Sequence, residues 1–260
     1  MRHWKLALGA AALLATVVSA NAGAAPKLPA YVSAALSDSR RTDADRAQDA
    51  DRKPGAMVVF AGIKPGMKVA DLIPGAGYFT RIFAGVVGDK GYVYAYQPSN
   101  LDGYIKKRFN VADVTAKWLS KPYEAYKNVG VLHAPVEKFV APELLDVVWT
   151  SRNYHDLHDT FFGPADLAQV NKAVYDSLKP GGVFIVLDHA AEPGSGLRDT
   201  ETLHRIDEAA VKKEVEAAGF KLVGESNVLR NSADDHKAKV FDASVKGKTD
   251  QFILKFRKPK

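Results

Sequence analysis

Asp71-Leu72-Ile73-Pro74-Gly75-Ala76-Gly77-Tyr78 is the stretch on which the reading of the whole chain turns. Lys68 to Ile73 is a short apolar run that follows a Lys-Pro-Gly turn, and Tyr78 to Val87 sets Phe79, Ile82, Phe83 and Val86 on one helical face. A buried strand thus passes through a glycine-bearing turn directly into a helix. Glycines there let the backbone approach a ligand closely, and the start of the helix leaves amide groups free. A dinucleotide fingerprint requires a further glycine three residues beyond Gly77, where this chain has Thr80, so a pyrophosphate site is disfavoured. No Gly-Lys-Ser/Thr follows, which removes a P-loop.

Outward from this turn, strand-like and helix-like segments alternate. Tyr92–Tyr96, Val129–His133, Leu145–Thr150 and Val183–Asp188 read as further strands, with interrupted helical patterning over 101–126. A helix is expected over Pro164–Leu178, where Leu167, Val170, Val174 and Leu178 are in register, and Lys179-Pro180-Gly181-Gly182 is expected to stop it. Asp207 caps a helix that runs to Ala218 and ends at Gly219. Lys221–Leu229 and Gln251–Arg257 close the chain as two strands with no helix between them. The alternation argues for an α/β doubly wound sheet of seven strands, with the last strand inserted antiparallel. Ligands of such sheets sit beyond the carboxyl ends of the strands at the topological switch point.

The 260 residues are 47% hydrophobic and 25% charged, the balance of a soluble globule. The absence of cysteine excludes disulfides, thiolate metal centres, covalent haem and a cysteine nucleophile. The formal charge of +6 is scattered: Lys106-Lys107-Arg108 is the one basic triplet, and no nucleic-acid partner is expected. Residues 1–22 read as a signal peptide, with Arg2, His3 and Lys5 ahead of the 13 apolar residues Leu6 to Val18 and Ala20-Asn21-Ala22 as a small-x-small cleavage site. Thirteen helical residues rise about 20 Å, short of the ~30 Å hydrocarbon core. No stable membrane anchor is therefore expected, and the processed protein is expected to be periplasmic or secreted. Residues 23–62 read as an N-terminal helical extension and 63–260 as the main domain. Within the extension, Ser37 to Lys53 carries five Asp against four Arg and one Lys, which suits a solvated helix, and Pro54 opens a short helix to Gly62.

With these residues in order, the chain resembles the class I S-adenosylmethionine-dependent methyltransferases. The resemblance rests on Asp71, Gly75 and Gly77, on Leu145 to Asn153, on Leu178-Lys179-Pro180-Gly181-Gly182, and on Ala217-Ala218-Gly219-Phe220. More narrowly, Asp51-Arg52-Lys53-Pro54 and Gly247-Lys248-Thr249-Asp250-Gln251-Phe252 are similar to exported methyltransferases predicted in bacteria. The resemblance implies a Rossmann-like methyltransferase fold and S-adenosyl-L-methionine as cofactor. Asp71, Pro74, Gly75, Ala76, Gly77, Tyr78, Gln97 and Ser151 would bind it. Asn153, His155 and His158 would serve an unidentified methyl acceptor, a histidine removing a proton. Two positions depart from the family. Ile73 replaces a glycine, and Gln97 replaces an acid, keeping an acceptor oxygen without its charge. His155, Asp156, His158 and Asp159 cluster, and Asp188-His189 falls on the same sheet edge. A zinc site needs three convergent ligands, however, and no metal is expected. A non-catalytic ligand-binding or scaffold protein on the same fold is the alternative reading.

Overall fold

The computed structural model describes residues 27–163 and 165–260; the expected signal at 1–22 lies outside the described residues. One sheet contains β1 (Lys68–Leu72), β2 (Tyr92–Pro98), β3 (Val129–Ala134), β4 (Leu145–Ser151), β5 (Leu178–His189), β6 (Lys221–Ser226) and β7 (Gln251–Arg257). Their order is β3-β2-β1-β4-β5-β7-β6. The first five strands are parallel, and β7 lies antiparallel between β5 and β6. The chain runs outward from β1 through β2 to β3, then returns to place β4 on the other side of β1. The switch point therefore falls between β1 and β4, where the glycine-bearing turn leaves the sheet.

Strand parity sorts the core into two layers. Val69, Val147, Trp149, Ile185 and Leu187 face α5 (Tyr78–Val87), joined by Val32 and Ala35 of α1 (Ala30–Leu36) and by Met57, Val58 and Ala61 of α4 (Pro54–Ala61). Ala70, Leu72, Val148, Phe184 and Val186 face the opposite way, onto Val170 and Val174 of α8 (Leu167–Ser177) and Val211 and Val215 of α10 (Glu208–Ala217). Full burial of such side chains is worth about 1.5–3 kcal/mol each. The connection from β2 to β3 carries α6 (Asp102–Phe109) and α7 (Ala116–Ser120), and α9 (Thr200–Leu203) precedes α10. Among the described residues no helix is long and apolar enough to cross a membrane.

Three local readings need correction. Ser37–Lys53 forms two four-residue helices, α2 (Asp43–Arg46) and α3 (Asp49–Arg52), and its charges are not all solvated. Arg41 and Asp45 are buried, because they pair with Asp49 and with Arg81 of α5. The eighth helix begins at Leu167 rather than Pro164, since the Asp166 side chain accepts from the Gln169 amide and caps it there. The sixth strand stops at Ser226, and residues 227–250 form an irregular crossing instead of extending it. That crossing is tied down by the buried, bidentate Arg205–Asp234 pair at 2.8 and 3.0 Å.

Candidate active site

Gly75 and Gly77 both hold positive φ, 55° and 80°, which glycine adopts without penalty. They differ in surroundings. Among the described residues, apart from its two chain neighbours, nothing stands within 4 Å of a Cβ placed on Gly75, and Gly75 and Ala76 are exposed, so backbone is presented to solvent at the switch point. A Cβ on Gly77 would come 2.5 Å from the Tyr123 ring and 2.9 Å from Arg81 Nη1. Gly77 is a packing glycine, whereas Gly75 fronts open space. Ile73 also has positive φ, 61°, although it is β-branched and buried. Its amide donates to the Tyr96 carbonyl at 2.9 Å, and its own carbonyl accepts from Asn153 Nδ2 at 3.0 Å.

Asp71 lies entirely inside, its Oδ2 accepting from Thr80 Oγ1 at 2.6 Å. Burial pushes its carboxyl up to about 7, against the bond from Thr80 that favours the charged form. Asp71 thus turns toward the start of α5 rather than into solvent. Gln97 closes β2 within the same edge, and its amide makes no hydrogen bond among the described residues, leaving its oxygen available to a ligand. Ser151 Oγ, at the end of β4, is buried without a partner. Tyr78 donates to Asp49 at 2.6 Å and lies under the Arg52 guanidinium, 4.6 Å from its ring centroid.

Arg52 and Arg152 are functional candidates that sequence reasoning missed. Both are half-buried, and neither has a carboxylate partner among the described residues. Burial holds Arg52 below its ordinary value and brings Arg152 down to about 10, with Arg52 adding repulsion. Arg52 Nε is buried and unpartnered, while Arg152 Nε donates to Gln251 at 2.9 Å. Two uncompensated guanidiniums beside an exposed turn favour an anionic group there. The only sequence signal was their place: one just ahead of α4, the other directly after β4. Exposed Gly75-Ala76, acceptor Gln97 and these two cations fit the backbone contacts, ribose and carboxylate of S-adenosylmethionine.

On the β4–β5 side the sequence candidates separate. Asn153 Nδ2 donates to the carbonyls of Ile73 and Ser151, so it fastens the turn to β4. His155 is buried within a 3-10 turn, His155–His158. Its Nδ1 donates to Asp188 at 2.8 Å and its backbone amide to the other Asp188 oxygen at 2.9 Å. Burial alone would lower its pKa, but Asp188 and Asp156 outweigh that and raise it to about 10. His155 thus lies inside, held between the carboxylates of Asp188 and Asp156. His158 points elsewhere, 3.3 Å from Glu214 on α10 and edge-on to Tyr154. The structure instead brings up His204, at the end of α9, with its Nδ1 3.3 Å from His155 Nε2. Exposed Phe161 and Phe241 flank the His204 ring, and Tyr104 packs on Phe161. No pattern in the sequence linked position 204 to position 155.

No family model matches the chain. The ubiquinone/menaquinone biosynthesis C-methyltransferase UbiE of Shewanella woodyi is 28% identical over 153 residues, which is 55% of this chain and 51% of that protein. The chain therefore spans about half the length of that curated relative. A solved S-adenosylmethionine-dependent methyltransferase from Aquifex aeolicus superposes with a TM-score of 0.52 at 22% identity, covering 79% of this chain and 89% of that one. The Burkholderia thailandensis 1,6-didemethyltoxoflavin-N1-methyltransferase, solved with S-adenosylhomocysteine, gives 0.52 at 16% identity over 84% and 82%. The chain has the class I fold of the S-adenosylmethionine-dependent methyltransferases, and the relatives it resembles in sequence are methyltransferases.

Proposed function

We propose that this protein is an S-adenosylmethionine-dependent methyltransferase with its cofactor across the 73–78 turn. The observation that carries the reading is the exposed Gly75-Ala76 backbone at the switch point, flanked by Gln97, Arg52 and Arg152. When bound, the cofactor supplies an electrophilic methyl group on a sulfonium. Arg52 and Arg152 would hold its carboxylate by charge-assisted hydrogen bonds, and Gln97 a ribose hydroxyl. Asn153 keeps the turn fixed to β4. The acceptor side carries the aromatic rim of Tyr104, Phe161 and Phe241, which suits a planar apolar ring. The curated relatives, named for C-methylation in quinone biosynthesis, are in keeping with such an acceptor. The catalytic work falls to positioning.

Calorimetry of the purified chain with S-adenosylmethionine and S-adenosylhomocysteine tests the reading. Both should bind, and Arg52→Ala should weaken S-adenosylhomocysteine about tenfold while leaving methylthioadenosine, which lacks the carboxylate, unchanged. Absence of binding to either would favour the second reading, a non-catalytic ligand-binding protein on this fold. The observation on that side is Ile73, whose buried side chain fills the place of a glycine.

Export is part of the same proposal. Its support is the basic, apolar and small-residue order of residues 1–22, which places the working protein in the periplasm or medium. Intact mass of the exported species should begin at Gly23 or Ala25, and a mature species that starts at Met1 would sink it.

A further inference from the structure

We propose that His155, Asp156, Asp159 and His204 form a binding site for one divalent transition-metal ion. Each offers one ligand atom, and these atoms lie within 4.8 Å of one another. His155 Nε2 is 3.1 Å from Asp156 Oδ1 and 3.3 Å from His204 Nδ1. His204 Nδ1 is 3.6 Å from Asp156 Oδ1 and 3.8 Å from Asp159 Oδ2. Metal bonds of 2.0–2.2 Å in a tetrahedron put neighbouring donors about 3.3–3.6 Å apart, and these four separations lie near that range, with small side-chain shifts needed to close the rest.

A second observation points to a missing ligand independently of those distances. Asp159 is 1% exposed, and neither of its carboxylate oxygens has a hydrogen-bond partner. The Thr200 hydroxyl is close by and reaches the Leu197 carbonyl at 3.3 Å. A buried carboxylate without a partner is costly, and a cation among Asp159, Asp156 and the two imidazoles removes that cost. The surroundings of His155 are those of a metal-ligating histidine: Nδ1 donates to a buried carboxylate, Asp188, which fixes the ring and aims Nε2 at the cluster.

Two imidazoles and two carboxylates, with no sulfur, select for a borderline ion such as Zn²⁺. Ca²⁺ needs six to eight oxygens and is disfavoured. Asp156 and His204 are each 17% exposed at the side chain, so the site opens to solvent on their side. An ion there would join the turn after β4 to the end of α9.

The test uses the full chain stripped with a chelator and titrated with Co²⁺, whose visible absorption reports tetrahedral N/O ligation, followed by competition with Zn²⁺. One equivalent should bind per chain and raise the melting temperature. Outer-shell changes alone cost 10–100-fold in metal affinity, so His204→Ala and Asp159→Asn should each weaken Co²⁺ by about a hundredfold or more. Asp159→Asn also removes a buried charge and should leave the metal-free protein folded, so it decides the matter if His204→Ala does not fold. No saturable binding below millimolar Co²⁺, or binding unaffected by both substitutions, would overturn the site.

Discussion

Ile73 occupies a left-handed conformation that β-branched residues avoid, a strain of about 1–3 kcal/mol. It is held there by the Tyr96 carbonyl, by Asn153 and by burial of its own side chain. Replacing it separates those contributions. Ile73→Gly should lose about 2–5 kcal/mol of packing and regain much of the strain, for a modest net fall in melting temperature. The same change should raise S-adenosylhomocysteine affinity severalfold in calorimetry; a fall would make the Ile73 side chain a cofactor contact. Asp71 provides a prediction about pH. Its native pKa near 7 stands above the unfolded value of about 3.9. The native state therefore binds the extra proton across that interval, and the associated stability is full below about pH 4 and lost as pH rises through 7. Asp71→Asn should remove this slope. Urea denaturation at pH 5 and pH 8 should show the variant gaining on the parent by on the order of 1–3 kcal/mol. An equal difference at both pH values would mean that Asp71 is ionised throughout.

Among the elements, α2 is short yet strongly placed. Thr42 and Asp45 form a capping box, and Asp45 then meets Arg81 of α5 through two 2.6 Å bonds inside the protein. Removing one partner of a buried pair leaves the other charge uncompensated, which costs about 3–5 kcal/mol. Asp45→Ala should be destabilising on that scale, and Asp45→Ala with Arg81→Met should recover much of the loss in chemical denaturation. If the double variant is no better than the single one, the pair is not what joins α2 to α5. This junction was the least legible part of the sequence. Alternating charges predict a solvated helix when nothing says which of them finds a partner 36 residues away. The strands and α5 were legible because period-2 and period-3.6 apolar patterns are local properties. Tyr78–Val87 and Gln251–Arg257 agree with the structure at both ends. The glycine-bearing turn was legible for the same reason, since strand, glycines and helix are consecutive. His204 was not, because its pairing with His155 depends on how β5 and α9 fold back onto β4.

At the scale of the whole molecule, the N-terminal helices and the turn form one mechanical unit. Val32, Ala35, Met57 and Val58 are buried in the same layer as α5, and Gly85 admits Ala35 so closely that a Cβ there would lie 3.0 Å from the Ala35 methyl. Arg41, Asp49 and Tyr78 continue that contact by hydrogen bonds up to the glycine-bearing turn. A ligand seated on the turn must therefore stabilise the extension as well, whereas β6, with alternate residues exposed, lies at the far edge of the sheet from the turn and meets the extension at Gly224, beside Phe60. Ligand at a hundredfold excess over its Kd stabilises the native state by about 2.7 kcal/mol, and hydrogen exchange shows where that energy is felt. Addition of S-adenosylhomocysteine should slow exchange at residues 41–54 and 73–82 together, with residues 221–226 unchanged. Protection confined to 73–82 would mean that the extension is a passive cover, and protection centred on 155–204 would move the cofactor to the histidine side of the sheet edge.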